Sequence, residues 1–224
     1  MFKKEAHYRD RSEAGEMLAD LLGAFVKTGA VVLAVPNGGV AVAGPIAQKL
    51  GARLGLLVVR KIQIPGNTEA GFGAVGAGGE YVVDSDMVKT LRLTPAEVEI
   101  QKQKAMSSVA SRLSQYGEWA RLPLLKKKTV ILVDDGLATG GTMEAGIRIV
   151  RPQDPEMLIV AAPTGSERAV NRLYPLVDKM LCPHVGHGPV YAVASAYRNW
   201  HDVSDQEVLT TLKALSGLQA DVSQ

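Results

Sequence analysis

The chain has 224 residues, of which 46% are hydrophobic and 21% are charged, and its formal net charge is +2 at pH 7. This length suits one α/β domain with appendages better than two full domains, and the composition is that of an ordinary globular protein. The nearly balanced charge argues against a surface that binds nucleic acid.

Cysteine content and hydropathy indicate in which cellular compartment the protein is expected. The single cysteine, Cys182, excludes an intrachain disulfide and agrees with a reducing compartment. The N-terminus lacks the apolar segment of a signal peptide. The most apolar stretch, residues 30–47, is broken by Pro-Asn-Gly-Gly at residues 36–39 and cannot form a membrane helix. We therefore expect a cytoplasmic protein with no membrane partner.

Apolar periodicity predicts an alternation of strands and helices along most of the chain. Continuous apolar runs indicate strands that are buried on both faces, and pairs such as Thr94 with Glu97 mark helix starts. In chain order the predictions are a helix capped by Asp10, a strand at 30–35, a helix at 40–50, a strand at 54–59, a hairpin of 72–75 with 81–83, a helix at 94–116, a strand at 130–133, a helix at 142–150, a strand at 157–162, a helix at 166–173, a strand at 179–182 and a last helix with its capping box at 204–207.

This alternation predicts an α/β fold with a mostly parallel sheet that is flanked by helices on both faces. In such sheets ligands bind at the C-terminal ends of the strands. Four loops are predicted to meet there: residues 36–39, the segment that begins with Arg60 and Lys61, residues 134–142 and residues 163–166. One crevice lined by these loops is therefore the expected site.

The segment 130–142 predicts a phosphate site with acids at its edge. It combines a strand, a loop and a helix start, where unpaired backbone N–H groups and the helix dipole can hold a phosphate. The residues that would cradle the phosphate are Ala138, Thr139, Gly140, Gly141 and Thr142. Asp134 and Asp135 would be repelled by that phosphate, whereas paired acceptors suit the vicinal hydroxyls of a sugar. The two features together predict a ribose 5-phosphate ligand.

The segment resembles the 5-phosphoribosyl-1-pyrophosphate (PRPP) signature of type I phosphoribosyltransferases. From end to end the chain is similar to a bacterial subfamily of that family, whose marks are found here in four places. They are Asp-Arg-Ser-Glu-Ala-Gly at 10–15, Pro-Asn-Gly-Gly at 36–39, Arg-Lys-Ile-Gln-Ile-Pro-Gly-Asn at 60–67 and Asp-Asp-Gly-Leu-Ala-Thr-Gly at 134–140. The resemblance implies a single domain, 1–224, with a core at about 28–182 and a hood made of about 183–224 and the N-terminal segment.

The resemblance implies a Mg²⁺-dependent transfer of the 5-phosphoribosyl group from PRPP to a nitrogen nucleophile, a nucleobase or related acceptor, with release of pyrophosphate. Asp134 and Asp135 would be the catalytic pair that holds the ribose, and PRPP itself would hold most of the Mg²⁺. The residues expected to bind the pyrophosphate are Asn37, Gly38, Gly39, Arg60 and Lys61. The partners would be PRPP and a small-molecule acceptor, and assembly as a homo-oligomer is left open. The alternative is a regulatory protein that binds PRPP or a nucleotide without turnover.

Several residues bear on the acceptor and the leaving group. Asn37 stands where the subfamily usually has Arg, which removes a cation from the pyrophosphate loop and favours the regulatory alternative. Ala138 stands where enzymes for 6-oxopurines usually have Asp, and so a hypoxanthine or guanine acceptor is disfavoured. Tyr191, Tyr197 and Trp200 could stack on an acceptor base, although such residues serve in packing as often.

Two other patterns offer alternative sites. Residues 71–76 match the G-x-G-x-x-G pattern of dinucleotide sites, but they run into another strand instead of opening a helix, which disfavours an oxidoreductase. Cys182, His184 and His187 form a Cys-x-His-x-x-His pattern that zinc could use. No fourth ligand has supporting spacing, and we therefore do not predict a zinc site.

Overall fold

The computed structural model describes residues 6–24, 26, 28–188 and 191–220. Helices and strands alternate within these ranges, as the apolar pattern predicts. In chain order the elements are α1 (Arg11–Gly23), β1 (Val31–Ala34), α2 (Gly38–Leu50), β2 (Arg53–Leu56), β3 (Val59–Ile64), β4 (Asn67–Gly76), β5 (Tyr81–Val83), α3 (Ser85–Thr90), α4 (Pro95–Tyr116), β6 (Thr129–Val133), α5 (Gly141–Val150), β7 (Met157–Ala161), β8 (Thr164–Ser166), α6 (Glu167–Leu173), β9 (Lys179–Leu181), β10 (His184–Gly186) and α7 (Asp205–Ala220).

Five strands form a parallel sheet in the order β2-β1-β6-β7-β9. Successive residues of these strands are apolar because helices cover both faces of the sheet. In β1, Val32 and Ala34 pack into a cluster with α1, α2 and α7, whereas Val31 and Leu33 pack into a second cluster with α5 and α6. The predicted α/β fold, with a mostly parallel sheet and helices on both faces, is confirmed.

A second, antiparallel sheet contains β3, β4 and β5. The predicted hairpin is the β4–β5 pair, in which Ala74 lies opposite Val82. The glycine pattern at 71–76 therefore lies inside β4 and does not open a helix. These glycines do not form the strand-to-helix turn that a dinucleotide site requires.

The predicted second parallel strand at 54–59 is wrong in its C-terminal part. The parallel strand β2 ends at Leu56. Val59 already belongs to β3, which leaves the parallel sheet and pairs with β4. Arg60 and Lys61 consequently lie within an antiparallel strand and not at the C-terminal end of a parallel one.

The segments around residues 8 and 197 meet beside the C-terminal edge of the parallel sheet. Tyr8 forms a parallel bridge with Tyr197, and its hydroxyl donates to Pro163 O at 2.9 Å. Parts of the predicted hood, residues 1–5, 189–190 and 221–224, lie outside the described ranges. The division into core and hood remains a prediction. None of the helices in the described part of the chain has both the length and the apolar character needed to cross a membrane.

Candidate functional site

The acidic pair Asp134 and Asp135 directly follows β6, which lies in the middle of the parallel sheet. The neighbouring strand β1 ends beside it, and the Val35 N–H donates to Val133 O at 2.8 Å. This bond holds the loop after β1, residues 36–39, against the loop after β6. Two of the loops that were predicted to line one crevice are thus in contact.

Two glycines bring the loop after β1 close to the acids. An ideal Cβ on Gly38 would lie 2.0 Å from Asp135 Oδ2, and one on Gly39 would lie 2.8 Å from Val133 O. Neither position can hold a larger side chain unless its neighbours shift. The start of α2 therefore faces the acidic pair at a separation that requires glycine.

Protein atoms crowd the carboxyl of Asp134, although part of the residue remains exposed. Its Oδ1 accepts a hydrogen bond from the Asp135 N–H at 2.8 Å. Burial raises the pKa of Asp134 well above its usual range, and the adjacent Asp135 carboxylate raises it further. A carboxyl in these surroundings retains a proton at a pH where a solvated aspartate has lost it.

The raised pKa of Asp134 predicts a loss of stability with rising pH. Above the ordinary aspartate range the unfolded chain releases this proton while the folded chain retains it, so this group lowers the free energy of unfolding until the pH passes the folded pKa. Asp134→Asn removes the titration, and its gain in free energy of unfolding over wild type should therefore grow as the pH rises from about 4 towards the folded pKa. Urea unfolding across this range measures the difference. A difference that stays constant with pH would contradict the raised pKa.

Arg11 holds the Asp135 carboxylate. Its Nε lies 2.8 Å from Asp135 Oδ2, and its Nη1 donates to His201 O at 2.9 Å. Its guanidinium lies 3.9 Å from the centre of the Trp200 ring. The side chains of Arg11 and Asp135 are 5% and 15% exposed, so the ion pair is largely buried. Arg11 therefore connects α1, the acidic pair and the C-terminal tail.

No role was predicted for Arg11 beyond its place in a motif, although the sequence carries a signal for one. Gly15, Leu18 and Leu22 lie on the buried face of α1, and Arg11 lies on the same face one turn before Gly15. A charged side chain on a buried helix face needs a partner of opposite charge. In this protein that partner is Asp135.

The C-terminal tail covers the acidic loop. The Tyr197 hydroxyl donates to Asp135 O at 2.6 Å, and burial is the main reason why the pKa of Tyr197 is raised. Tyr197 and Trp200 both contact the Arg11 guanidinium through their rings. Two of the three aromatic residues considered as stacking partners of an acceptor are thus part of the packing around Arg11.

Tyr191, the third aromatic residue, lines a cavity of about 320 Å³ next to the acidic loop. Its hydroxyl lies 2.6 Å from Thr164 Oγ1, and Thr164 O accepts the Leu137 N–H at 3.0 Å. The stacked rings of His7 and His184, with centres 3.9 Å apart, lie at the same cavity. The described residues that line it carry neither a carboxylate nor a Lys or Arg side chain.

The predicted phosphate loop turns directly into α5. Gly140, which precedes the helix, is in the left-handed region with φ 75°. Ala138, Thr139 and Thr142 are exposed. Ser166 Oγ donates to Ala138 O at 2.7 Å, so the end of β8 supports the phosphate loop. Phosphate binding here remains a prediction, and the exposed turn leaves room for it.

The Asn37 side chain makes four contacts within the protein. Its Nδ2 donates to Val203 O and to Asp205 Oδ1, both at 2.9 Å. Its Oδ1 accepts from the Tyr116 hydroxyl at 3.0 Å and from Arg112 Nη1 at 3.1 Å. The side chain thus connects the loop after β1 to α4 and to the start of α7. Any contribution of Asn37 to pyrophosphate binding would come from its backbone.

Arg60 and Lys61 lie beside the phosphate loop. An ideal Cβ on Gly141 would be 3.1 Å from Lys61 Nζ. Arg60 Nε donates to Ser108 Oγ of α4 at 3.0 Å. The two cations therefore line the space between β3, α4 and the start of α5. Their part in pyrophosphate binding remains a prediction.

The Cys-x-His-x-x-His pattern does not converge on one point. Cys182 Sγ contacts the His184 carbonyl at 3.8 Å, the His184 ring stacks on His7, and His187 pairs with Glu167 at 3.2 Å. Burial raises the pKa of the Cys182 thiol to about 12. Across the described ranges, no three His, Cys, Asp or Glu side chains are grouped so that they could hold a metal ion.

Comparisons with known proteins agree with one another. The phosphoribosyl transferase domain matches residues 11–180. Relatives from two Mycobacterium tuberculosis strains, CDC 1551 / Oshkosh and H37Rv, each provisionally named a phosphoribosyl transferase, are 34% identical over 206 residues. The match covers 92% of this chain and 46% of each relative, so the chain spans about half their length. The crystal structure of TT1426 from Thermus thermophilus is 35% identical with a TM-score of 0.84, and the match covers 92% of this chain and 97% of that one.

Proposed function

The chain belongs to the phosphoribosyl transferase family, and from this premise we propose that it transfers the 5-phosphoribosyl group of PRPP to a nitrogen nucleophile, with Mg²⁺ and with release of pyrophosphate. The observation that carries the proposal is the contact between the loop after β1 and the acidic pair, where Gly38 lies against Asp135. It puts a helix start, two carboxylates and a second helix start side by side. A donor made of a pyrophosphate, a ribose diol and a 5′-phosphate needs these three kinds of neighbour.

Each part of the donor has its own binding group in this proposal. Residues 138–142 hold the 5′-phosphate through N–H groups and hydroxyls at the start of α5. Asp134 and Asp135 accept hydrogen bonds from the two ribose hydroxyls. Gly38 and Gly39 present N–H groups at the start of α2 to the pyrophosphate, and the dipole of that helix favours the negative charge.

The acidic pair also acts on the reacting centre. The bond from ribose C1 to the pyrophosphate breaks, the bond from C1 to the acceptor nitrogen forms, and positive charge develops on the ribose ring in between. The Asp135 carboxylate stabilises this charge because it is oriented before the reaction begins, and Asp134 contributes once ligand binding has released its proton to solvent. Arg11 supports that orientation through its ion pair with Asp135, and Tyr197 fixes the Asp135 backbone.

The oxygen atoms at the site suit Mg²⁺, which prefers hard oxygen ligands and keeps part of its shell for phosphates. Asp134 and Asp135 offer such oxygens at the mouth of the site. Since the described residues contain no cluster of three ligating side chains, the donor's pyrophosphate and hydroxyl oxygens would complete the coordination. When bound, the ion neutralises the charge of the leaving pyrophosphate.

We place the acceptor in the cavity of about 320 Å³ beside the acidic loop. Thr164 and Tyr191 offer hydroxyls, and the His7 and His184 rings offer a flat face. Burial lowers the pKa of His184, as does the neighbouring His7, so that a neutral imidazole faces the cavity at neutral pH. A neutral planar nitrogen heterocycle fits this lining, and Ala138 disfavours a 6-oxopurine.

Pyrophosphate release tests the proposed function. We expect the chain to release pyrophosphate from PRPP and Mg²⁺ with at least one acceptor in a panel of purines, pyrimidines and small amines. Removal of Mg²⁺ with EDTA should abolish the release, because the leaving group then keeps its full charge. Tight PRPP binding with no turnover for any acceptor would instead support the regulatory alternative, which the uncharged Asn37 favours. Failure to bind either PRPP or ribose 5-phosphate would contradict both functions.

A further inference from the structure

A cavity of about 360 Å³ lies between β3, α4 and the first turn of α5. Three cationic side chains line it, and neutral polar groups stand between them. The cations are Arg60, Lys61 and Lys104, and the polar groups include Gln101, Ser108 and Thr142. None of the described residues that line this cavity carries a carboxylate. Positive charge is therefore concentrated at a concave surface next to the proposed phosphate loop.

Arg60 and Lys104 are exposed residues, but protein atoms surround part of the Arg60 side chain. Burial lowers the pKa of Arg60, and the positive charge of Arg112 lowers it further. Arg60 donates to Ser108, one turn of α4 before Arg112, which brings two like charges to the same side of the helix, where they repel each other. An anion bound between the two groups would relieve this repulsion.

One face of α4 extends from the cavity to the loop after β1. Gln101, Lys104, Ser108 and Arg112 are spaced by three or four residues, which places them on one side of the helix. At the far end Arg112 Nη1 donates to Asn37 Oδ1 at 3.1 Å. Arg112 also lies 3.4 Å from Asp205 Oδ1, but that side chain is 42% exposed, so the pair is weak. This partly exposed face of α4 thus presents cations from the start of α5 to the start of α2.

The loop after β1 needs such cations. Its four residues, Pro-Asn-Gly-Gly at 36–39, carry no charge, whereas the pyrophosphate carries most of the charge of PRPP. Arg11, which reaches the same region, is already paired with Asp135. Backbone N–H groups and one helix dipole supply only partial positive charge.

We propose that α4 completes the pyrophosphate site, and that Lys104 and Arg112, together with Arg60 of β3, supply the positive charge that the loop after β1 lacks. This inference rests on the proposed function. The diphosphate group lies between the start of α2 and the cavity, with Ser108 as a neutral hydrogen-bond donor. The cation absent at position 37 is replaced in space by Arg112, which bonds to Asn37 directly.

Lys104→Ala tests the inference, with Lys102→Ala as the matched control. Lys102 lies on the same helix, but its ammonium pairs with Glu99 at 2.6 Å and faces the Tyr81 ring. Calorimetry with Mg²⁺ would give dissociation constants for PRPP, for pyrophosphate and for ribose 5-phosphate. We expect Lys104→Ala to weaken PRPP and pyrophosphate binding roughly tenfold, as the loss of one charged contact does, and to leave ribose 5-phosphate within about twofold.

Comparison of PRPP, pyrophosphate and ribose 5-phosphate shows which part of the donor the cavity binds. Equal weakening of ribose 5-phosphate would place the 5′-phosphate in the cavity and overturn the inference, as would unchanged binding of PRPP and pyrophosphate. The same losses in Lys102→Ala would show a nonspecific charge effect and overturn it too. If the wild-type chain binds ribose 5-phosphate and the variants give any of these contrary results, the inference about α4 is refuted but the proposed function is not. A wild-type chain that binds neither sugar phosphate refutes the proposed function and, with it, the role of α4.

Discussion

Asp134→Asn should weaken PRPP binding about 100-fold while it makes the chain more stable above neutral pH. Each hydrogen bond from a ribose hydroxyl to a carboxylate contributes about 1.5–3 kcal/mol, and about 2.7 kcal/mol corresponds to a factor of 100. The amide has the same shape but no negative charge, so the packing is retained. Stability rises because the folded chain no longer has to keep Asp134 protonated, a cost that burial imposes by raising the pKa of this group.

Asp135→Asn should reduce PRPP binding as well, but with the opposite effect on stability. The Arg11 guanidinium, only 5% exposed, would lose its ion-pair partner. Removal of one partner of a buried pair costs roughly 3 kcal/mol or more in free energy of unfolding. Asp134→Asn should thus lose PRPP binding although its free energy of unfolding rises, whereas Asp135→Asn should lose both. This result would show that Asp134 contacts the ligand, because a variant that binds poorly through misfolding would be less stable.

Calorimetry with PRPP and urea unfolding at pH 8 provide both readouts for the two variants. Asp86→Asn serves as the control, because Asp86 is 94% exposed and its pairing with Lys89 at 3.5 Å is solvated. The control should match wild type in both measurements. If Asp134→Asn binds PRPP within about threefold of wild type, the acidic pair does not hold the ribose.

Local pattern predicted most of the parallel sheet and the helices. The strands β1, β6 and β7 are buried on both faces, and their apolar runs are bounded by turn residues that fix both ends. The helix α4 starts where Thr94 and Glu97 form a full capping box. These features depend on neighbours in sequence, which is why sequence reasoning finds them.

The end of β2 was not predictable in this way. Leu57 and Val58, which join β2 to β3, are both buried, so the apolar run continues through the point where the chain changes sheets. A continuous apolar run shows that a segment is buried, but it does not show with which sheet it pairs. The position of Arg60 and Lys61 followed from that pairing, and it placed them beside α4 instead of at a parallel strand end.

Contacts across the chain were also beyond sequence reasoning. The Asn37 amide bonds to Arg112 and Tyr116 of α4 and to Asp205, residues at least 75 positions away. Polar helix faces are usually solvated, and nothing in the residue pattern of α4 marks its polar side as a contact with another loop. Its proximity to the loop after β1 is visible only in three dimensions, where an uncharged Asn37 lies next to a cation.

Gly38→Ala should weaken PRPP binding by about 100-fold or more. The new Cβ would lie 2.0 Å from Asp135 Oδ2 and 3.2 Å from Arg11 Nε, so the carboxylate has to move. Arg11 holds that carboxylate from the other side, and the movement therefore breaks a buried ion pair. Such overpacking costs about 1–3 kcal/mol in free energy of unfolding. Calorimetry and urea unfolding would measure the two losses.

Gly23→Ala is the control, because a Cβ on Gly23 meets nothing within 4 Å and Ala favours the helical conformation. It should keep PRPP binding and raise the free energy of unfolding slightly. A double variant, Gly38→Ala with Asp135→Asn, then tests the cause of the Gly38→Ala defect. If the methyl group acts by displacing the Asp135 carboxylate, both single variants disturb the same contact. The losses in binding free energy of Gly38→Ala and Asp135→Asn should then add up to more than the loss measured in the double variant. Additive losses would mean that Gly38 binds the pyrophosphate independently of Asp135, and retained PRPP binding in Gly38→Ala would rule out both roles.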